Sequence, residues 1–383
     1  TACGTWNDTR VGVVDAKAIL YVLESQFPQL LRSGSGVYFM GESYAGVYIG
    51  QTLEWMLSHS QTFGSVLSQL RGVALGDACL GGDVLCGGAN GPYATLLFFY
   101  GHGQVSTELW NWMLSQCTIQ ELHSRTQSAV CTEAIQKLYT AIGGYYAYNL
   151  VDQCVSDAFS LSKRRPKGVA VLDTASHSSA TQRGIVSSDN SGITVPLENG
   201  YWCPGLIFFN YFDRLDVRAA VGVPLNSTFF NADDGEGMNY VYNTRSIMPT
   251  VLQLLQNQNP SVNSGRPVQV WAYDGDTDPS INVFSSQQAW WAFASNHSLQ
   301  KSSEWHAWTI SDNIVGGYVT EWANNTLKYV TIRGSGHMVA EYKPASALAF
   351  VKGFLEGTSL TPYSQPPPSQ SHVRRQVRRR FKQ

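Results

Sequence analysis

The fold is indicated first by the stretch Gly36-Val-Tyr-Phe-Met-Gly-Glu-Ser-Tyr-Ala-Gly46. Its first half is a short, apolar and β-prone run bounded by glycine, which is typical of a buried strand. Helical character returns over residues 44–57, so Ser43 lies in a sharp turn between a strand and a helix. Small neighbours are needed there, because bulky side chains would collide with both elements, and the turn exposes the serine hydroxyl. Ser43 is therefore the candidate nucleophile.

Strand and helix patterns alternate along the rest of the chain. Three further apolar runs predict strands, at residues 70–75, 268–273 and 328–333. Helical spacing occurs over residues 14–27, where Pro28 follows as a stop, and over residues 344–355. This alternation predicts an α/β fold with a mostly parallel central sheet, in which loops at the strand ends carry the site.

The domain organisation is predicted from changes in composition. Residues 1–78 and 204–360 carry the α/β pattern and are expected to form a discontinuous core, while residues 79–203 form an insertion that covers the sheet as a cap. Within the insertion, the polar and basic residues 160–199 predict a flexible loop. Residues 361–383 are rich in Pro and Ser and end in clustered Arg, which predicts a disordered tail.

Composition restricts the class of partner and compartment. A net charge of −2 gives no general electrostatic basis for binding nucleic acid or an anionic membrane through the body of the protein. The sequence has no apolar run of about 18 residues, so no membrane span is predicted. Seven cysteines together with Asn-X-Ser/Thr sequons favour the secretory pathway, with the vacuole, the lysosome or the cell exterior as destination. The predicted glycosylation sites are Asn7, Asn226, Asn296 and Asn324.

A base and an orienting carboxylate must accompany the serine, because its hydroxyl group is a poor nucleophile, and in this fold they follow in the order acid, then histidine. His337 is the candidate base, since Gly334-Ser-Gly-His337 follows a predicted strand and its glycines suit a tight loop that presents an imidazole. The segment Tyr273-Asp-Gly-Asp-Thr-Asp278 offers three candidate acids, among which spacing alone does not choose. It lacks the further ligands of a calcium loop.

The helix that follows Ser43 predicts an oxyanion donor. Its N-terminus directs backbone N–H groups at the reaction centre, so the amide of Tyr44 is expected to donate to the oxyanion of a tetrahedral intermediate. This chemistry is acyl transfer and requires no metal or organic cofactor.

Taken together, these segments resemble the serine carboxypeptidase family of the α/β-hydrolase superfamily. The similar motifs are Gly41-Glu-Ser-Tyr-Ala-Gly46 as the nucleophile box, Gly275-Asp-Thr-Asp278 as the acid box and Ile332-Arg-Gly-Ser-Gly-His-Met338 as the histidine box. The resemblance extends over about residues 15–355, with further landmarks at residues 99–103, 108–110, 212–218, 305–308 and 315–318. It implies a catalytic triad of Ser43, Asp278 and His337, with Asp276 in a structural role.

The resemblance also implies how the substrate is recognised and which disulfides cross-link the cap. Glu42 would contact the free carboxylate of a peptide, which requires one of the two carboxyl groups to be protonated and implies an acidic pH optimum. The implied disulfides are Cys117 with Cys131, Cys154 with Cys203 and, as a further expectation, Cys79 with Cys86, which leaves Cys3 for a partner outside the given sequence.

One family segment is not found in the sequence. The Asn-Gly-Gly segment, which in the family supplies a second oxyanion donor, an asparagine for the substrate carboxylate and early sheet strands, is absent, so the chain is expected to be N-terminally incomplete. The expected activity is that of a serine-type carboxypeptidase acting on peptides with a free C-terminus. The alternatives are an acyltransferase of similar fold, in which an alcohol accepts the acyl group, and a catalytically inactive binding homologue.

Overall fold

The computed structural model describes residues 5–82, 91–152, 211–226, 239–242, 245–311 and 314–364. Within these ranges the strands are β1 Thr5–Asn7, β2 Val37–Glu42, β3 Leu70–Gly76, β4 Asn239–Val241, β5 Gln269–Gly275, β6 Lys301–Ser311, β7 Ile314–Trp322 and β8 Leu327–Ile332. The α-helices are α1 Asp8–Tyr21, α2 Pro28–Arg32, α3 Ala45–Ser58, α4 Gly64–Leu67, α5 Tyr93–Gly101, α6 Thr107–Gln116, α7 Ile119–Leu122, α8 Ala129–Ile142, α9 Leu215–Ala220, α10 Met248–Leu255, α11 Val283–Asn296, α12 Val339–Tyr342 and α13 Pro344–Glu356. A π-helical turn lies at Val22–Gln26 and a 3-10 turn at Asn263–Gly265.

A six-stranded sheet in the order β2-β3-β5-β8-β7-β6 lies at the centre of the described residues. Strands β2, β3, β5 and β8 are parallel, and β7 and β6 extend the sheet as an antiparallel hairpin. The predicted α/β class with a mostly parallel sheet is confirmed, and all four predicted strands belong to this sheet. The apolar-run criterion misses the hairpin, because β6 begins with polar residues and buries only Trp308.

The central strands are buried because helices cover both faces of the sheet. Along β5, Val270 and Ala272 join the core that α3, α10 and α11 cover. The intervening Trp271 joins the opposite core, where it packs against Phe350 and Phe354 of α13. Burial stabilises each such side chain by about 1.5–3 kcal/mol relative to its exposed state, so the two cores hold the strand ends in fixed positions.

Helix α1 begins earlier than its apolar pattern indicates. Asn7 caps it by accepting a hydrogen bond from the Arg10 amide at 2.8 Å, and the helix starts at Asp8 rather than at residue 14. At the other end the helical path stops before Pro28, as predicted, and Pro28 opens the separate short helix α2. The residues before α1 form β1, which pairs in parallel with β4.

Residues 91–152, within the predicted cap, have an apolar core of their own. Helices α5, α6 and α8 contribute Phe99, Trp110 and Leu138 to it, and all three side chains are buried. The predicted flexible loop at 160–199 lies outside the described residues. The proposed domain boundaries therefore stay predictions.

The disulfide between Cys117 and Cys131 is confirmed. It joins the end of α6 to α8 with a Cα–Cα distance of 4.7 Å. Cys79 is also disulfide-bonded. The other four cysteines, Cys3, Cys86, Cys154 and Cys203, lie outside the described residues, so the pairings expected for them stay predictions.

The start of the predicted disordered tail is ordered, which corrects that prediction for residues 361–364. The Thr309 amide donates to Thr361 O at 2.8 Å and the Tyr363 amide donates to Ala307 O at 2.8 Å, so this segment lies along β6. Leu360 is buried immediately before it. Packing and backbone hydrogen bonds together therefore hold the chain against the sheet, and residues 365–383 lie outside the described residues.

The surface carries most of the sequon asparagines. Asn226, Asn296 and Asn324 are exposed, whereas Asn7 is half-buried and uses its side chain to cap α1. Glycosylation at these positions stays a prediction. None of the helices in the described part of the chain is long and apolar enough to cross a membrane.

Candidate active site

Four neighbouring parallel strands end at one edge of the sheet, and each is followed by a residue that can do chemistry. Ser43 follows β2, Asp77 follows β3, Asp278 lies in the loop after β5 and His337 lies in the loop after β8. The carboxyl ends of parallel strands are where α/β proteins build their sites. The fold therefore brings Ser43, Asp278 and His337 to the same edge.

The turn at Ser43 is strained. Its φ of 63° lies in the left-handed region that non-glycine residues rarely adopt. The Ser43 amide donates to Gly76 O at 2.9 Å and the Cys79 amide donates to Ser43 O at 3.0 Å, and these bonds hold the turn. A Cβ at Gly46 would lie 2.5 Å from Cys79 O, so a small residue is required at that position. Ser43 itself is half-buried, which leaves part of it open to solvent.

His337 and Asp278 form a buried pair. Nδ1 of His337 lies 2.6 Å from Oδ2 of Asp278, and both side chains are almost fully buried. This contact places the imidazole proton on Nδ1 and leaves Nε2 to accept or donate a proton. Asp278 also accepts hydrogen bonds from the Ser280 amide at 2.8 Å and the Ile281 amide at 3.2 Å, which hold the carboxylate in place.

The surroundings of His337 favour its charged form. Burial on its own lowers the pKa of His337, but the hydrogen bond and charge of Asp278, helped by the charges of Glu42 and Asp274, raise it above its usual value. Among the described residues, no hydrogen bond joins the Ser43 hydroxyl to His337. The structure thus brings acid and base into contact, and catalytic hydrogen bonds to the nucleophile often form fully only when substrate binds.

The three aspartates that the sequence leaves open have different surroundings. Asp278 is the one bonded to the imidazole. Asp274 accepts a hydrogen bond from the Tyr329 hydroxyl at 2.6 Å, and burial raises the pKa of Asp274 to about 7 despite that bond. Asp276 accepts a hydrogen bond from the Gly334 amide at 2.6 Å and so ties the loop after β5 to the loop after β8.

Glu42, which precedes Ser43, is half-buried at the same edge. Burial raises its pKa, against the opposing charge of His337 and a hydrogen bond that Glu42 accepts from the Val339 amide. A carboxyl group with a raised pKa is partly protonated in mild acid, so it can share a hydrogen bond with a second carboxylate. The chemistry expected of Glu42 is therefore available at this position.

Tyr44 is the N-cap residue of α3. Within the described residues its backbone N–H donates to no acceptor, so it can bind an anion that reaches the site. The side chain of Tyr44 is anchored, because its hydroxyl donates to the buried Asp8 at 3.0 Å. The Tyr240 hydroxyl donates to the same carboxylate oxygen at 2.6 Å, which links β4 to the start of α3.

Asp77 belongs to the site although no sequence motif marks it. It is fully buried, and its carboxylate accepts the Gly275 amide at 3.0 and 3.2 Å. Burial, followed by the charges of Asp274 and Asp278, raises its pKa well above the usual value. Its position in the sequence could have identified it. Asp77 directly follows Gly76 at the end of a predicted strand, and α/β sheets present their functional side chains from that position.

Tyr148 also contacts the site, from the region predicted to be the cap. Its carbonyl oxygen accepts the His337 amide at 2.8 Å, and its ring stacks on the imidazole with a centroid distance of 5.0 Å. The Leu150 amide donates to Thr277 O at 2.8 Å, so the same segment also holds the loop of Asp278. Only a local richness in tyrosine hints at this segment in the sequence.

Asp77, Asp278 and His337 each place a possible metal-ligand atom within 4.8 Å of the other two. Asp278 and His337 are hydrogen-bonded to each other, and Asp77 is bonded to the Gly275 amide. These hydrogen bonds account for the grouping without an ion.

Comparison with known proteins gives a consistent family. The family model described as serine carboxypeptidase matches residues 4–357. Serine carboxypeptidase ctsa-4.1 of Caenorhabditis elegans is 25% identical, over 94% of this chain and 71% of the relative. Serine carboxypeptidase-like 22 of Arabidopsis thaliana is 22% identical, over 88% of this chain and 64% of the relative. The chain thus spans about two thirds of the length of these relatives.

A solved structure has a similar fold. The crystal structure of Kex1(delta)p, a prohormone-processing carboxypeptidase from Saccharomyces cerevisiae, aligns with a TM-score of 0.50 and 14% identity. The alignment covers 89% of this chain and 66% of that chain. At this level of identity the likeness concerns the fold alone.

Proposed function

The chain belongs to the serine carboxypeptidase family, and from this premise we propose that it releases the C-terminal amino acid of peptides through an acyl-enzyme on Ser43. The observation that carries the proposal is the juxtaposition, at one sheet edge, of a strained serine turn with a buried imidazole–carboxylate pair. A strained turn that presents a hydroxyl group and an imidazole oriented by a carboxylate are the two parts that acyl transfer needs.

The first half of the proposed reaction forms the acyl-enzyme. Ser43 Oγ attacks the carbonyl carbon of the last peptide bond while Nε2 of His337 takes the hydroxyl proton. The amide of Tyr44 donates to the oxyanion that forms. The C–N bond then breaks as His337 returns the proton to the leaving nitrogen, and the C-terminal amino acid departs. Asp278 holds the imidazole tautomer and stabilises the imidazolium ion throughout.

The second half hydrolyses the acyl-enzyme. Water attacks the ester carbon, and its proton passes to Nε2 of His337. The tetrahedral intermediate collapses, the ester bond to Ser43 Oγ breaks and His337 returns the proton to that oxygen. The shortened peptide leaves and the enzyme is restored. No metal or organic cofactor takes part in either half.

Glu42 is the proposed contact for the free carboxylate of the substrate. Its raised pKa keeps a proton on it in mild acid, and that proton is shared with the substrate carboxylate. Binding of the substrate carboxylate therefore weakens as the pH rises. A general base must be neutral, and the raised pKa of His337 means that a smaller fraction of the imidazole is neutral in acid, so activity also falls at low pH. The proposed pH profile of kcat/KM is bell-shaped, with its alkaline limb set by Glu42.

We also propose passage through the secretory pathway, to the vacuole, the lysosome or the cell exterior. The Cys117–Cys131 disulfide supports an oxidising compartment, and the exposed Asn226, Asn296 and Asn324 are suitably placed for glycosylation. The partners of the protein are then peptides with a free C-terminus.

The test is mass spectrometry of the full chain after treatment with a fluorophosphonate at acidic pH. Ser43→Ala is the negative variant, and Ser33→Ala, which changes an exposed serine remote from the motif, is its matched control. Release of the last residue from a blocked dipeptide is measured in parallel. We expect the wild type and Ser33→Ala each to carry one adduct, confined to Ser43, and to hydrolyse the dipeptide. We expect Ser43→Ala to carry no adduct and to show no hydrolysis.

Other outcomes separate the alternatives. An adduct on Ser43 without peptide hydrolysis, but with transfer of an acyl group to an added alcohol, would identify an acyltransferase. Absence of any adduct from folded wild-type protein would contradict both enzymes and favour a catalytically inactive homologue.

A further inference from the structure

Asp77 lies between the two halves of the proposed active site. In the sheet order β2-β3-β5-β8, the strand before Asp77 separates the strand that leads to Ser43 from the strand that leads to Asp278. We propose that Asp77 is a positioning residue of the reaction, whose buried carboxyl group joins the serine turn to the loops of Asp278 and His337. This inference rests on the function proposed above.

The backbone around Asp77 connects both sides. Towards the serine, Gly76 O accepts the Ser43 amide at 2.9 Å and the Cys79 amide returns a bond to Ser43 O at 3.0 Å. Towards β5, the Asp77 amide donates to Tyr273 O at 2.7 Å. Residues 76–79 are therefore bonded both to the turn of the nucleophile and to the strand that leads to the acid.

The side chain of Asp77 extends this connection. The Gly275 amide donates to both of its carboxylate oxygens, at 3.0 and 3.2 Å, in a fully buried position. Gly275 packs so closely on the histidine loop that a Cβ there would lie 2.1 Å from Gly336 O. Holding the Gly275 amide therefore holds the junction of the acid and histidine loops. Asp77 has a φ of 37°, a conformation that aspartate and asparagine tolerate better than other non-glycine residues.

The carboxyl group of Asp77 lies beside the imidazole without adding a fixed charge to it. One oxygen of Asp77, one oxygen of Asp278 and a ring nitrogen of His337 lie within 4.8 Å of one another. Burial and the charges of Asp274 and Asp278 raise the pKa of Asp77 well above its usual value, so its carboxyl group is neutral in mild acid. Its proposed contribution is therefore one of position.

Two replacements test the position of the carboxyl group. Asp77→Asn keeps the size of the side chain, an oxygen that accepts the Gly275 amide and the tolerance of positive φ. Asp77→Ala removes the acceptor and leaves the Gly275 amide buried without a partner.

The experiment measures the rate at which a fluorophosphonate labels Ser43 in the full chain, over about pH 4 to 9. In this reaction Ser43 Oγ bonds to phosphorus, fluoride leaves and His337 takes the proton, so the rate follows the fraction of neutral imidazole. We expect Asp77→Asn to label at the wild-type rate in mild acid, because the hydrogen bond to the Gly275 amide is kept. We expect Asp77→Ala to label about tenfold more slowly at every pH, because the loops lose their link.

Asp216→Ala is the matched comparison. It makes the same change at an exposed carboxylate that pairs with Arg214. We expect this variant to label at the wild-type rate, so that slow labelling of Asp77→Ala reports the loss of a buried acceptor rather than of any carboxylate.

The outcomes distinguish this inference from the function on which it rests. A normally labelled wild type with an Asp77→Ala variant that reacts at the wild-type rate, or with an Asp77→Asn variant as slow as Asp77→Ala, overturns the inference alone. A folded wild type that is never labelled overturns the proposed function and the inference with it. Circular dichroism checks the fold of each variant. If Asp77→Ala does not fold, Asp77→Gly takes its place, because glycine tolerates the positive φ and also lacks the acceptor.

Discussion

The raised pKa of Asp274 predicts that the protein is more stable in acid than at neutral pH. Its carboxyl group is fully buried, and burial together with the charge of Asp278 raises its pKa from 3.8 to about 7. Between these values the folded protein binds a proton that the unfolded chain does not. The stabilising contribution of Asp274 is therefore complete below pH 3.8 and is lost as the pH rises through 7.

The size of the effect follows from that shift in pKa. A difference of about three units corresponds to about 4 kcal/mol in the free energy of unfolding between acidic and alkaline solution. A change of that size moves the Tm of a large domain by about 5–10 °C. Asp274→Asn stays neutral at every pH and keeps an oxygen that accepts the Tyr329 hydroxyl. We therefore expect this variant to lose the part of the pH dependence that Asp274 contributes, while Asp77 and Glu42 keep theirs, and to exceed the stability of the wild type in alkaline solution.

The assay is urea unfolding at a series of pH values, followed by the fluorescence of the chain's 11 tryptophans. Asp216→Asn is the control, because it makes the same chemical change on an exposed carboxylate that pairs with Arg214. We expect the control to keep the wild-type slope of stability against pH. A wild-type stability that is constant or rises between mild acid and neutrality, or an equal slope in Asp274→Asn, would refute the reasoning.

Three further predictions concern substrate binding and stability. Glu42→Gln is expected to flatten the pH dependence of KM for a blocked dipeptide, because the amide stays neutral where the carboxyl group ionises; coincident KM profiles would contradict this. Lys328→Met is expected to lower the free energy of unfolding by about 3–5 kcal/mol, since Glu321 is left buried and charged; urea unfolding tests it, and unchanged stability would exclude a contribution of the pair. Replacing Cys117 and Cys131 by serine is expected to cost about 3 kcal/mol for a sequence separation of 14; an unchanged Tm would contradict the loop-closure argument.

The strands and the serine turn could be predicted because each depends on local sequence. Leu70–Gly76, Gln269–Gly275 and Leu327–Ile332 are buried on both faces of the sheet, which demands a continuous apolar run that is visible without any partner. Val37–Glu42 has a similar run, but it is an edge strand of the described sheet and is only half-buried, with Met40 exposed. The prediction of a strand is right there, and the prediction that it is buried is wrong. The left-handed conformation of Ser43 demands small neighbours, and these are also adjacent in the sequence. Strand β6 is largely exposed and offers no such run. Strand β7 is mostly buried, but glycines and polar residues interrupt its apolar positions.

Contacts between distant loops could not be predicted in the same way. Asp274, Asp276 and Asp278 have equal spacing, and they differ only in what the fold brings to them: a tyrosine hydroxyl, a glycine amide and an imidazole respectively. Asp77 and Tyr148 gain their places because β3 is inserted between β2 and β5 and because a segment of the predicted cap reaches the histidine loop. Strand order and long-range docking are properties of the whole chain and cannot be predicted from a short segment. Spacing alone could not choose the acid among the three aspartates, and the resemblance to a family pointed to Asp278.

The ordered segment at residues 361–364 has a practical consequence for any shortened form of the protein. It covers β6, which lies at one of the two edges of the described sheet and whose Trp308 side chain is fully buried. An uncovered edge strand offers unpaired N–H and C=O groups to other molecules and promotes aggregation. A chain truncated at Glu356, where the last helix ends, would expose that edge together with the apolar site that Leu360 fills. Recombinant forms that end at Ser364 or beyond should therefore remain dispersed where shorter ones self-associate.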